Sequence, residues 1–153
     1  MEIKLATLSD VQPICKLLNE FFLYNANLQP EYCNAANELG SYPESVIKSK
    51  TADIFIAIDN GEVIGMLHIS ETQTPPYDSV VPHRYAEIID LMATASYRRK
   101  GVGSLLMNAA KEWSRERGLD YIELFVLSNA EGGKSFYENE GFEIVSHNMR
   151  CKI

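Results

Sequence analysis

The stretch Arg98-Arg99-Lys100-Gly101-Val102-Gly103 decides how this chain is interpreted. It follows a β-rich run, Tyr85–Ala93, and opens an amphipathic helix over Gly101–Arg117. The two glycines remove side chains where the backbone turns, so the free N–H groups of the helix start can point at an anion. The helix dipole and the three cationic residues favour the same ligand. The stretch predicts a site for a phosphate or pyrophosphate. If only these six residues are considered, the alternative is a glycine-containing turn whose charges are solvated.

Two commoner phosphate motifs each fail at one position. A dinucleotide-binding fingerprint needs a third glycine where this chain has Leu106. A P-loop ending at Gly133-Lys134-Ser135 needs a glycine where this chain has Ser128. The phosphate site therefore belongs to another class of loop.

The first half of the chain predicts strands and helices in a single domain over residues 1–153, because 153 residues fit one domain. A strand at Glu2–Ala6 precedes a helix that Ser9-Asp10 can cap. Residues 25–50 are polar and irregular, with room for one or two short helices. Two β-rich runs, Ile54–Ile58 and Val63–Ile69, follow, and Asp59-Asn60-Gly61 between them is a strong hairpin signal.

The second half predicts parallel pairing inside a mixed sheet. After a proline-rich loop at 73–83, strands at Tyr85–Ala93 and Tyr121–Leu127 flank the helix at Gly101–Arg117. A further helix over 131–140 ends at Gly141, and the tail returns as one or two strands. Two strand–helix–strand units of this kind are typical of a mixed α/β (α+β) fold with locally parallel strands.

Composition excludes several functional classes. The chain is 46% hydrophobic and 23% charged, which rules out disorder, and no apolar run approaches the length of a membrane span. The first residues lack the features of a signal peptide, so we expect a cytoplasmic protein. A net charge of −7 argues against a nucleic-acid partner and suits a cationic substrate. Three distant cysteines without a CxxC pair argue against disulfides and against a zinc or other metal site.

Two motifs together identify a family. The pattern Arg98-x-x-Gly101-x-Gly103 resembles the acetyl-CoA pyrophosphate loop of the GNAT N-acetyltransferase superfamily, and Ser135-Phe136-Tyr137-Glu138-Asn139-Glu140-Gly141-Phe142 is similar to its second signature. The Ala6-Thr7-x-x-Asp10 opening and the Asn60-Gly61 hairpin also match. The resemblance covers nearly the whole chain. It implies a twisted mixed sheet of six or seven strands flanked by about four helices.

The resemblance also implies acetyl-CoA as co-substrate, with no metal. Its pantetheine arm would lie in a gap where strands 85–93 and 121–127 splay apart at a β-bulge. Asn129 lies one residue before the position where the family often has asparagine, which here is Ala130. The residues assigned to the coenzyme in this way are Leu91, Met92, Ala93, Arg98, Arg99, Lys100, Gly101, Val102, Gly103, Ser104, Asn129 and Phe136.

Three residues are the catalytic candidates. Tyr137 matches the family's general acid, which would protonate the departing thiolate, and a packing tyrosine is the alternative. Glu87 is the preferred general base, and Asp90 is the second choice or a partner for a cationic substrate. Strand alternation places Glu87 and Asp90 on opposite faces, unless a bulge changes the parity. His83 is taken as the only histidine near this strand and is given no role.

The predicted reaction is direct transfer of the acetyl group of acetyl-CoA to a primary amine of a small-molecule or peptide acceptor. A backbone N–H near Met92 or Ala93 would stabilise the oxyanion. The alternative is a non-catalytic acyl-CoA-binding module with a regulatory or interaction role. The sequence does not identify the acceptor amine, and it does not show whether the protein forms a homodimer.

Overall fold

A five-stranded mixed sheet with four α-helices makes up the computed structural model, which describes all 153 residues. The strands are β1 (Glu2–Leu5), β2 (Ala52–Asp59), β3 (Glu62–Gln73), β4 (Arg84–Ala93) and β5 (Ile122–Leu124). The helices are α1 (Val11–Leu28), α2 (Ser41–Ile47), α3 (Val102–Glu116) and α4 (Glu131–Asn139). Short 3₁₀ turns at Leu8–Asp10 and Ala95–Tyr97 precede α1 and α3. None of the helices is long and apolar enough to span a membrane.

The strands lie in the sheet in chain order, from β1 to β5. The first three pairings are antiparallel, and only β4 and β5 are parallel, with α3 as the crossover between them. The β2–β3 hairpin turns at Asn60 and Gly61, whose φ values of 50° and 81° suit a type I′ turn. The predicted hairpin and the predicted parallel pair are therefore confirmed.

Each face of the sheet carries its own apolar core. Helix α3 covers one face, because its buried residues recur at helical spacing and meet the inward residues of β3 and β4. Helices α1 and α2 cover the other face, against β2 and the middle of β3. The α3 core includes Leu67, Ile69, Ala86, Ile88, Val102, Leu106, Met107 and Trp113, and the α1–α2 core includes Ile14, Leu17, Leu18, Val46, Ile54, Ile56 and Met66.

Strand β4 outruns its parallel neighbour and leaves a gap. Pairing with β5 covers only Ala86–Ile88 opposite Ile122–Leu124, whereas β4 continues to Ala93. On the other edge of β4, Ile88 pairs with Ile69 and Asp90 pairs with His68, so Ile89 is an extra, bulged residue. The expected bulge is therefore present, and the pairing of β4 with β5 ends just before it.

The sheet has fewer strands than the sequence predicts. Strand β5 has three residues instead of the seven of Tyr121–Leu127, and Phe125 just beyond it is 77% exposed. The expected strands of the tail do not form, since residues 142–153 contain neither helix nor strand. The tail instead contacts the segment between α1 and α2, where the Arg150 guanidinium lies 3.7 Å from the Tyr32 ring centroid. Alternating apolar residues predict a strand only where a neighbouring edge pairs with them, and here no edge does.

Candidate active site

The start of α3 has the geometry of an anion-binding site. Gly101 precedes the helix with φ 84°, a left-handed conformation that glycine adopts without steric cost. Arg99 is also left-handed, with φ 61°. The N–H groups of Val102, Gly103 and Ser104 have no partner within the helix, because an α-helix leaves its first N–H groups free. These donors and the positive end of the helix dipole favour a phosphate at this point.

Gly103 serves packing as well as access. A Cβ atom at Gly103 would lie 3.0 Å from Cζ of the Phe136 ring, so the glycine lets α4 approach the start of α3. The structure thus brings together two residues that the sequence analysis assigned separately to the coenzyme. A larger residue at position 103 would displace Phe136. A loss of coenzyme binding in such a variant could then come from the packing defect as well as from the blocked site.

Arg98, the first cationic residue of the loop, borders a cleft. Arg98 lies 5.0 Å from the centroid of the Tyr24 ring of α1, and its Nε donates to the carbonyl oxygen of Ala93 at 3.5 Å. The cleft lies between α1 and the loop after β4 and has a volume of about 530 Å³. Its lining comprises Glu20, Leu23, Tyr24, Asn27, Thr94, Ala95, Ser96 and Arg98.

The bulge places Glu87 and Asp90 on the same face of the sheet. Residues paired across antiparallel strands share a face, and Glu87 pairs with Ser70 while Asp90 pairs with His68. Ile88 between them packs on the α3 side. The expectation of opposite faces is therefore wrong, because the extra residue Ile89 shifts the alternation by one. Both carboxylates lie on the side of α1 and α2.

Asp90 is the carboxylate that the fold holds in place. It is 8% exposed, and its Oδ2 accepts a hydrogen bond from the Tyr42 hydroxyl at 2.5 Å. The same hydroxyl lies 2.5 Å from Nδ1 of His68, a residue 6% exposed. Burial and the adjacent Asp90 charge raise the pKa of Tyr42 well above its usual range, so this phenol stays protonated. Glu87 is only half-buried, and its side chain makes no hydrogen bond within the protein.

Sequence reasoning missed Tyr42 and His68. His83, taken as the only histidine near β4, contacts Asp120 instead, with Nδ1 2.9 Å from Oδ2. His68 lies directly across from Asp90 on β3. The one feature of the sequence that pointed to His68 is its position within the apolar run of a central strand. Its partner could be found only from the register of β3 with β4.

Tyr137 lies on the α4 side of the same region. Its ring packs edge-on against Phe136 and Phe142, with centroid distances of 5.2 and 5.9 Å. Its hydroxyl makes no hydrogen bond within the protein and is not sealed from solvent. Burial, together with the charge of Asp90, raises the pKa of Tyr137 to about 12. The phenol is therefore a proton or hydrogen-bond donor at neutral pH.

The remaining coenzyme candidates lie along the gap or beside it. The Thr94 N–H bonds to Ile64 of β3, so strand alternation points the N–H groups of Leu91 and Ala93 away from β3, toward the gap. Met92 packs against the α1–α2 core. Asn129 is bound elsewhere, since its Nδ2 donates to the carbonyl oxygen of Leu28 at 2.8 Å.

The helix start at Gly101 suits an anion, and the unpaired edge of β4 beside it can bond to an extended chain, so the two together suit a coenzyme that joins a pyrophosphate to an extended arm. The sequence profile of the Acetyltransferase (GNAT) family matches residues 12–142. The chain belongs to this family, and it is an acyltransferase.

The chain is also similar in sequence or in fold to individual proteins. The uncharacterized N-acetyltransferase YhfO of Bacillus subtilis is 29% identical over 147 residues, covering 94% of this chain and 90% of YhfO. The BH1408 protein of Bacillus halodurans, solved as a tetramutant, has a TM-score of 0.94 at 20% identity, with both chains covered in full. The aminoglycoside N-acetyltransferase AAC(6')-Iy, solved in complex with CoA, has a TM-score of 0.72 at 16% identity and covers 98% of this chain and 100% of its own.

Proposed function

We propose that this protein transfers the acetyl group of acetyl-CoA directly to a primary amine of a small-molecule or peptide acceptor. One observation carries the proposal: the helix start at Gly101 and Val102, which suits an anion, follows the edge of β4 that is unpaired beyond Ile88, and Asp90 on this part of β4 is near enough to Tyr137 for its charge to raise the pKa of the phenol. Acetyl-CoA joins a pyrophosphate to a reactive thioester, so it needs both features at once.

The chain offers suitable groups for each part of acetyl-CoA. The N–H groups at the start of α3, with Arg98, Arg99 and Lys100, suit the pyrophosphate. The unpaired edge of β4 beyond Ile88 suits the amide groups of the pantetheine arm, which can bond to it as a strand would. The Ala93 N–H can donate to the thioester carbonyl oxygen as negative charge develops there.

The proposed reaction needs two proton-handling groups. Asp90 binds the acceptor ammonium and takes one of its protons, and the neutral amine then attacks the carbonyl carbon. As the tetrahedral intermediate collapses, the carbon–sulfur bond breaks, and Tyr137 donates a hydrogen bond to the departing thiolate. The nitrogen, positively charged after the attack, releases its second proton to this thiolate, so that the products are a neutral amide and the thiol of coenzyme A. Asp90 then returns the first proton to solvent. A pKa of about 12 makes the phenol a weaker acid than a typical thiol, which favours hydrogen-bond donation over full proton transfer.

Asp90 replaces Glu87 as the preferred base. Asp90 is held by Tyr42 at 2.5 Å, and its charge acts on Tyr137, whereas Glu87 has no hydrogen-bonding partner that orients it. A base must be oriented toward the proton that it abstracts. Glu87 lies on the same face and remains a binding partner for a second cationic group of the acceptor.

The test is a coenzyme A release assay with acetyl-CoA and a panel of amines that includes aminoglycosides, polyamines and peptides with free N-termini. We expect turnover with at least one amine, and we expect Asp90→Asn to abolish it while Glu87→Gln retains most of it. Calorimetry with coenzyme A should give the same affinity for all three proteins. Binding of coenzyme A without turnover on any amine would contradict the proposed enzyme and support a binding module.

A further inference from the structure

Tyr42, His68 and Asp90 form a buried polar cluster at the meeting point of α2, β3 and β4. The Tyr42 hydroxyl lies 2.5 Å from both Nδ1 of His68 and Oδ2 of Asp90. The His68 and Asp90 atoms are themselves 3.9 Å apart, too far for a direct hydrogen bond. The hydroxyl therefore bridges the other two groups. Most of the α1–α2 face around them is apolar.

Counting hydrogens fixes the direction of the two bonds. A phenol has one hydrogen, and the ionised carboxylate of Asp90 can only accept. Tyr42 therefore donates to Asp90, and the bond to His68 forms only if His68 donates through a protonated Nδ1. The chain then runs from His68 Nδ1–H to the Tyr42 hydroxyl, and from this hydroxyl to Asp90 Oδ2. In this arrangement the Tyr42 hydroxyl, Nδ1 of His68 and Oδ2 of Asp90 each have a hydrogen-bonding partner.

The position of Tyr42 is itself built into the fold. Oε1 of Glu38 accepts the backbone N–H groups of Gly40 and Tyr42, at 2.8 and 3.2 Å. The Gly40 bond is the largest cause of a lowered Glu38 pKa, so this carboxylate is ionised at neutral pH. The Glu38 N–H donates to Oδ1 of Asn19 of α1 at 2.7 Å. These bonds attach the first turn of α2 to α1 and hold Tyr42 over β4.

We propose that Tyr42 and His68 are positioning residues that keep Asp90 ionised and hold its carboxylate toward the acceptor amine. The proposal rests on the proposed function. Desolvation disfavours a charge at a site this buried, and donated hydrogen bonds compensate for it. Because Tyr42 occupies Oδ2, Oδ1 is the oxygen left for the substrate.

The other charged or titratable groups around the cluster are few. Tyr137 of α4 is affected by the charge of Asp90, and Glu38 adds a second negative charge near Tyr42. Glu87 lies on the same face of β4. The second ring nitrogen of His68, Nε2, takes no part in the hydrogen-bond chain. A proton added at Nε2 of His68 leaves both bonds of the chain intact.

The first test does not depend on turnover. Ring-nitrogen NMR of uniformly ¹⁵N-labelled protein at mildly alkaline pH should show His68 protonated at Nδ1 and unprotonated at Nε2. Tyr42→Phe removes the acceptor of this bond and should change the His68 nitrogen shifts. The control is Tyr121→Phe, which removes a hydroxyl without a protein partner. This variant should leave the His68 nitrogen shifts unchanged. A wild-type His68 protonated only at Nε2, or unaltered shifts in folded Tyr42→Phe, would overturn the proposal.

The second test uses an amine found in the coenzyme A release assay. Tyr42→Phe should lower kcat/KM for that amine by about ten- to a hundredfold, the range for losing a hydrogen bond to a charged group. The acidic limb of the pH profile should move to higher pH, while KM for acetyl-CoA stays within about twofold. A wild-type pH profile in Tyr42→Phe would show that Tyr42 has a packing role only.

The two tests separate the proposal from the proposed function. If the wild type acetylates no amine, the proposed function fails and the NMR result still decides the hydrogen-bond chain. If the wild type is active and Tyr42→Phe changes neither the pH profile nor the His68 signals, the proposed function stands and the positioning role fails.

Discussion

At the scale of single residues, the charge of Asp90 affects the protonation of Tyr137. Asp90 is buried and negatively charged, and its charge helps to raise the pKa of Tyr137 to about 12. The phenol therefore stays neutral over the whole range in which the acceptor amine gains or loses its proton. Asp90 can therefore act as a proton acceptor while Tyr137 keeps its proton. Acetyl transfer requires this division of roles.

Tyr137→Phe tests the role of the phenol with minimal change in packing. The ring contacts with Phe136 and Phe142 are retained, and the hydroxyl has no protein partner to lose. We expect kcat and kcat/KM for the acceptor to fall together by about 10²-fold, because the donated bond forms only as the thiolate leaves. Steady-state kinetics with a solvent isotope effect would measure this. The matched control is Tyr121→Phe, which should retain wild-type kinetics, and a Tyr137→Phe kcat within about twofold of wild type would exclude the donor role.

Alkaline titration tests the environment of Tyr137 independently. Its pKa rises from 10.0 to about 12 in the folded protein, so the unfolded chain releases this proton first. The stabilising contribution is complete below pH 10 and is lost as the pH rises toward about 12. We expect the free energy of unfolding, measured in urea, to decrease over this range in the wild type and to decrease less steeply in Tyr137→Phe. Equal slopes would show that folding does not raise the pKa of Tyr137.

At the scale of elements, the start of α3 offers a matched pair of glycine substitutions. Gly101 and Gly61 have φ values of 84° and 81°, and a Cβ atom would meet no neighbour at either position. Alanine at each should therefore cost a similar stability, about 1 kcal/mol of backbone strain. Only Gly101→Ala should weaken binding of coenzyme A, by about tenfold, the equivalent of one charge-assisted hydrogen bond.

Thermal unfolding and calorimetry of the two variants would separate strain from binding. The Gly61 variant controls for the general effect of a strained left-handed residue. Equal affinity for coenzyme A in the two folded variants would remove the start of α3 from the coenzyme site.

The features that the sequence predicts correctly are local ones. Asn60-Gly61 specifies the turn of the β2–β3 hairpin, and Gly101 specifies the start of α3. Both positions need a positive φ, and glycine and asparagine adopt this conformation more readily than other residues. The second signature correctly placed Phe136 and Tyr137 on the helix after the second parallel strand.

The features that the sequence does not reveal are pairings between distant segments. The bulge at Ile89 depends on the register of β4 with β3, and it reverses the side on which Asp90 lies relative to Glu87. Tyr42 reaches Asp90 from a helix 48 residues away in the chain, through a segment with no periodic pattern. The tail has the alternation of a strand but pairs with neither free edge of the sheet.

At the scale of the whole molecule, charge is distributed unevenly. The net charge is −7, yet three of the 14 basic residues are the consecutive Arg98, Arg99 and Lys100 beside the start of α3. The overall field should attract a cationic acceptor, and the basic loop locally offsets the repulsion of an anionic coenzyme.

Ionic strength should therefore change kcat/KM for a cationic acceptor. With acetyl-CoA saturating, kcat/KM for a cationic amine should fall several-fold as salt shortens the screening length from about 30 Å at 0.01 M to about 8 Å at 0.15 M. An aromatic amine that is neutral at the assay pH serves as the control and should respond little. The same salt dependence for both amines would show that the field does not guide the acceptor.

The chain-order sheet has a consequence for how the protein folds and opens. Strands β2, β3 and β4 form a meander of sequence-local hairpins, whereas β5 joins only after the α3 crossover and over three residue pairs. We expect the meander to form early and the segment from β5 through α4 to open separately from it, at a lower free energy than global unfolding. The gap beside β4 is the boundary between these two folding units. A ligand that fills the gap binds both units at once, so its affinity includes the free energy of closing that boundary, and local unfolding of β5 and α4 offers it a route of release.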